Sequence, residues 1–182
     1  MMLSTVVFLL VSIWLTVLGW YDSYYRRLPN YLTLGGAAVF LIFRFCVYGL
    51  SGPLGLWNGL IGGLAGGVFL FLPFLLRGAG AGDIKMLFAV GCYVGYPGIF
   101  GVMILSTVFG LILGLVMLCA GKLDGARLKY LWNCCVNIRY DRAAGAAGLP
   151  PVKSEKVRIP FGVAIGAGCW VLLVIGKILS GG

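Results

Sequence analysis

The chain contains no histidine. That absence removes Ser-His-Asp and Cys-His nucleophile systems, His-ligated zinc and HExxH peptidases. Charge is scarce as well. Only 10% of the 182 residues are Asp, Glu, Lys or Arg, against about 25% in an ordinary soluble domain. So few charges cannot cover a water-exposed surface. Acidic residues are scarcest, five against 14 Lys and Arg. The six cysteines form no CxxC, which argues against a zinc ribbon. Cys46, Cys92, Cys119 and Cys169 lie in apolar runs, where cysteine is a small packing residue. Cys134 and Cys135 are adjacent in a polar stretch and are expected to be reduced. What remains is apolar: 61% of residues are hydrophobic and 30 are glycine. This is the composition of a polytopic membrane protein. A net charge of +9 would suggest nucleic acid in a soluble chain. Here it points to basic loops against anionic lipid, with no nucleic-acid partner.

Apolar runs cover 1–21, 31–50, 54–76, 84–96, 99–120 and 160–179. The first lacks a basic start and a small-residue cleavage site, so it is read as a retained span rather than a signal peptide. The third carries Gly59, Gly62, Gly63, Gly66 and Gly67, a spacing that allows close helix contact. The fourth has 13 residues, short of the roughly 17 that a spanning helix needs. Tyr96-Pro97-Gly98 marks a turn after it. With the N-terminus outside, segments 22–30, 77–85 and 121–159 face inward. They then hold every Lys and Arg except Arg44 and Lys177, which fall within spans and are expected to snorkel or pair. The predicted fold is an all-α polytopic membrane protein of six transmembrane helices, the fourth short, with its N-terminus outside and its functional loops at the cytoplasmic face. It forms a single membrane-embedded domain over 1–182. The long cytoplasmic loop at 121–159 mixes basic and aromatic residues, as expected of a helix on the inner leaflet followed by an Ala/Gly/Pro linker.

The five acids all fall on the predicted inner side. Asp124, Asp141 and Glu155 sit among basic residues of the long loop, where solvated ion pairing is their expected role. Asp22 and Asp83 each stand where an apolar run meets the inner boundary, and two spans separate them. An even number of crossings returns the chain to the same face, so the two carboxylates are expected at similar depth. Acids there are costly and usually functional. Two neighbouring carboxyls hold one proton between them. The ionised member takes a proton from water while the protonated member donates to a scissile carbonyl. The plain alternatives are a boundary residue for Asp22 and a helix N-cap for Asp83. Asp83 is expected to open the fourth helix after Gly82, where the helix start favours its anionic form. Gly78, Gly80 and Gly82 precede it, a low-bulk backbone that a peptide can approach closely. Gly80, Gly82 and Lys85 are therefore candidate substrate-binding residues. After Asp22, Arg26 and Arg27 are expected to anchor to lipid phosphates, and Pro29 stiffens the short loop before Asn30.

These residues carry a resemblance. Asp22-x-x-x-Arg26-x-Leu28-Pro29-Asn30, followed by Gly80-x-Gly82-Asp83-x-Lys85, resembles the aspartic prepilin peptidases of type IV pilus systems, polytopic GxGD proteases. The stretch Ile159-Pro160-Phe161-Gly162-Val163-Ala164-Ile165-Gly166-Ala167-Gly168 is similar to the segment opening the last span in the short tight-adherence (CpaA-type) branch. The resemblance implies Asp22 and Asp83 as catalytic aspartates, with no metal and no cofactor. It implies a multi-pass protein of the bacterial inner membrane. The implied substrate is a prepilin, a basic leader followed by an apolar helix, cut after the leader Gly at the cytoplasmic boundary. Larger members carry a cytoplasmic region with paired CxxC motifs and also N-methylate the new terminus. Neither region nor motif is present here, so peptidase activity without methyl transfer is expected.

Two other readings compete: a proton-coupled transporter, which also uses intramembrane acids, and a non-catalytic membrane protein of pilus assembly. Gly49-Leu50-Ser51-Gly52 spells the GxSG of rhomboid serine proteases, but that chemistry needs a histidine base.

Overall fold

A computed structural model describes residues 2–25, 28–75, 80–120 and 161–180. The 121–159 loop lies outside the described residues, as do Arg26, Arg27, Arg77, Gly78 and Pro160. The described elements are all helical: α1 (Met2–Tyr25), α2 (Asn30–Tyr48), α3 (Leu56–Leu75), α4 (Ala81–Val94), α5 (Gly98–Cys119) and α6 (Phe161–Ser180). Each apolar run of the sequence carries one of them. Four are long and apolar enough to cross a bilayer: Val6–Tyr25, Asn30–Tyr48, Gly98–Met117 and Phe161–Ile178. The apolar part of α3, Leu56–Phe71, is shorter. Large side chains such as Leu10, Ile13, Val39, Ile42, Ile104 and Leu111 are exposed, as lipid-facing positions should be. The chain is a helical polytopic membrane protein.

The backbone divides into two compact units, Met1–Leu111 with Pro160–Gly182, and Ile112–Ile159. Of the second, only Ile112–Ala120 is described. The first holds the core, where Leu15 and Leu18 of α1, Met86, Leu87 and Val90 of α4, Val102 of α5 and Ile165 and Cys169 of α6 are buried together.

Helix boundaries follow local chemistry. Extended Pro29 (φ −69°, ψ 138°) precedes α2, its fixed ring suiting the entry to a helix. Gly49 and Gly95 close α2 and α4 with positive φ, 75° and 78°, where other residues would be strained. The helices extend past two expected boundaries. The inward loop predicted at 22–30 is helical as far as Tyr25, so Asp22 lies inside α1. α4 starts at Ala81, with Gly80 as its N-cap, two residues before the expected start at Asp83.

The short α4 is the central element: it packs against α2, α3 and α6. At 14 residues it is about 21 Å long, less than a hydrocarbon core of about 30 Å. Its length is tolerated because protein rather than lipid surrounds it. The glycines of α3 make the closest approach. A Cβ on Gly62 would sit 2.6 Å from the Gly91 carbonyl oxygen, so the two backbones touch there.

Beyond the far end of α4, Arg44 is 5% exposed. It does not snorkel. Its guanidinium donates to the carbonyl oxygens of Leu54 (3.0 Å), Gly55 (3.3 Å) and Tyr93 (2.7 Å). Asn58 adds a two-point clamp on Tyr96: its amide donates to the Tyr96 carbonyl (2.6 Å) and its oxygen accepts the Tyr96 N–H (3.0 Å). The other cation expected within a span, Lys177, lies over the Phe8 ring, 4.6 Å from its centroid. Cys92 and Cys169 are buried, Cys46 and Cys119 exposed, and all four are free thiols.

Candidate active site

Asp83 is the third residue of α4. Its Oδ2 accepts the Gly80 N–H at 2.9 Å, while its own N–H donates to the Gly80 carbonyl at 3.1 Å. This is the acidic half of a capping box, with glycine in place of the usual hydroxyl residue. It explains the early helix start: the carboxylate reaches back to satisfy a backbone donor of the first turn. Asp83 is 8% exposed.

Asp22 is 7% exposed and sits in the last turn of α1. An anion there opposes the partial negative charge of its own helix end. Its surroundings offset this, because the first turn of α6 lies against the carboxyl. A Cβ built on Gly162 would meet Asp22 Oδ2 at 2.6 Å, Cγ at 2.8 Å and Cβ at 3.1 Å.

Two further contacts join the segments that carry the acids. Lys85 Nζ donates to Asn30 Oδ1 at 2.8 Å, across 55 residues. Gly82 lies under Leu28, whose Cβ would be 3.3 Å from a Cβ at Gly82. One turn further into the bundle, Gly166 of α6 faces both Leu15 and Met86; a Cβ there would be 3.8 Å from each. The end of α1, the start of α2, the start of α4 and the start of α6 therefore share one end of the first unit. Both buried carboxylates belong to that end.

Each sequence candidate thus has a place. Asp22 and Asp83 are buried at the common end. Gly80 donates its N–H to Asp83, Gly82 lies against Leu28, and Lys85 donates to Asn30. Asn30, the first residue of α2, accepts from Lys85 through its Oδ1 across 55 residues. Sequence reasoning missed the contact of Gly162 with Asp22. Its signal lay in the glycine pattern that opens the last apolar run. Among the described residues, no group of three or more His, Cys, Asp or Glu is placed to hold a metal ion.

Fold and site together define a class: a multi-pass helical membrane protein with two buried carboxyls at one end of its bundle. Residues 9–115 match the model of the type IV leader peptidase family. The chain belongs to that family and is a type IV leader peptidase-like protease. The matched span includes Asp22, Asn30, Asp83 and Lys85, while Gly162 lies beyond it. Comparison with curated proteins and with solved structures returned no match.

Proposed function

We propose that the protein is an aspartic endopeptidase that removes the short basic leader of type IV prepilins, with Asp22 and Asp83 as its catalytic pair. The observation that carries this reading is the burial of both carboxylates at one end of the same unit, on segments joined by Lys85–Asn30 and Leu28–Gly82. Both acids also fall within the span matched to the leader peptidase family.

In the proposed reaction one carboxylate takes a proton from a water. The resulting hydroxide adds to the scissile carbonyl as the protonated partner donates to its oxygen. Collapse of the tetrahedral intermediate breaks the C–N bond: one hydroxyl proton passes to the partner carboxylate as the carbonyl re-forms, and the departing amine takes up the proton held by the first carboxyl. Lys85 and the Gly80–Gly82 backbone lie beside the path of an approaching peptide. The site faces the cytoplasm of the bacterial inner membrane, with the N-terminus outside and all six helices spanning. The apolar stem of the substrate approaches from lipid, and cleavage follows the leader Gly. No methyl transfer accompanies it, and neither metal nor cofactor takes part.

Co-expression with a candidate prepilin tests the proposal. Wild type should produce the shortened pilin. Asp22→Asn and Asp83→Asn should each reduce processing by about a hundredfold or more at equal membrane abundance. Full processing by either variant would refute the assignment.

A further inference from the structure

The last helix lies outside the span that matches the family, yet it provides the surface against which Asp22 rests. Asp22 stands at the unfavourable end of its own helix dipole. The start of α6, where backbone N–H groups have no intrahelical acceptor, is electrostatically the better neighbour for an anion. That neighbour can come so close only because residue 162 has no side chain, since a methyl there would overlap the carboxyl at 2.6–3.1 Å. The same turn also meets α5: a Cβ on Gly110 would lie 3.1 Å from Phe161 Cδ2. The two acids thereby share a principle. Asp83 caps the helix it belongs to, and Asp22 lies at the start of a helix contributed from elsewhere in the chain.

We propose that Gly162 is a positioning residue for Asp22: its missing side chain lets the first turn of α6 abut the carboxyl and hold it in the orientation that proton transfer requires. The proposal rests on the catalytic role assigned to Asp22 above. A control lies one turn away. Gly166 is on the same helix, but a Cβ there meets Leu15 and Met86 only at 3.8 Å, an ordinary contact.

The test compares Gly162→Ala with Gly166→Ala in the full-length protein in membranes, cleaving a prepilin. Gly162→Ala is expected to lower kcat by about tenfold to a hundredfold with KM and membrane abundance unchanged. Gly166→Ala should stay near wild type. Equal losses in the two variants, or wild-type kcat in Gly162→Ala, would overturn the proposal. A second measurement needs neither activity nor tolerance of alanine. The pair Asp22→Cys with Gly162→Cys should form an intramolecular disulfide under mild oxidation, read by mass spectrometry. Asp22→Cys with Gly166→Cys should not. Absence of the first crosslink sinks the proposal whatever the cleavage data show. If wild type fails to cleave a prepilin while that crosslink forms, the peptidase reading fails and the seating of residue 22 by residue 162 stands.

Discussion

Asp22 and Asp83 are buried acids, and each meets a helix start. Asp83 reaches the Gly80 N–H; Asp22 lies against Gly162. Two apolar runs lie between them, and that even number predicted a common end, so sequence alone singled them out. Lys85 was harder to place. A cation beside a GxGD loop suggests a contact with substrate, whereas the folded protein engages it with Asn30 at 2.8 Å. A double-mutant cycle separates the two roles. If Lys85 acts through Asn30, Lys85→Met and Asn30→Ala should each lower kcat several-fold, and the double variant should lose little more than the worse single one. The coupling should be about 1 kcal/mol. If Lys85 binds substrate, its loss should raise KM and add to that of Asn30→Ala. Nothing in the spacing of residues 30 and 85 reveals the bond, because a hydrogen bond over 55 residues depends on how two helix starts pack.

At the scale of elements, α4 decides most. Its brevity was legible, since the apolar run beginning at Ile84 is short and ends at Tyr96-Pro97-Gly98. Its central position was not, because hydropathy cannot distinguish a helix wrapped by helices from one facing lipid. Glycine backbones of α3 and α4 meet at Gly62 and Gly91, where a Cβ on Gly91 would lie 2.8 Å from the Gly63 Cα. Gly91→Ala should cost about 1–3 kcal/mol through overpacking, seen as a lower unfolding temperature in detergent. Gly67→Ala, whose Cβ finds Phe88 at 3.8 Å, should be neutral or slightly stabilising by comparison. Arg44 secures the other end of α4 through the Tyr93 carbonyl. Arg44→Met leaves three carbonyl oxygens without this donor and should destabilise the fold by about 1–3 kcal/mol. The same unfolding measurement checks it. Lysine at this position should rescue only in part, because a single ammonium does not reproduce a planar fork reaching both the 54–55 loop and α4.

For the whole molecule, the distribution of charge predicts the orientation. With Arg44 held inside the bundle and Lys177 against Phe8, every other basic residue falls in the segments proposed to face inward. Alkaline phosphatase fused within 51–53 or at 97–98 should therefore be active in the periplasm, and fusions within 121–159 should be inactive. The opposite pattern would place the carboxylates on the outer face and overturn the proposed site of cleavage. This prediction rests on charge rather than on packing, so it is independent of the contacts that join the helices.

Length, hydropathy and glycine-proline punctuation were sufficient to determine the helical class and the six apolar segments, and to single out the two acids. These are local properties, because a segment enters a membrane on its own apolarity and a helix stops where its own backbone bonds can no longer continue. Tertiary structure alone decided that α4 lies at the centre, that Arg44 serves backbone carbonyls, that Lys85 meets Asn30 and that Gly162 seats Asp22. Each of these depends on close packing between segments far apart in the chain, and shape complementarity over such separations leaves no periodic trace in the order of residues.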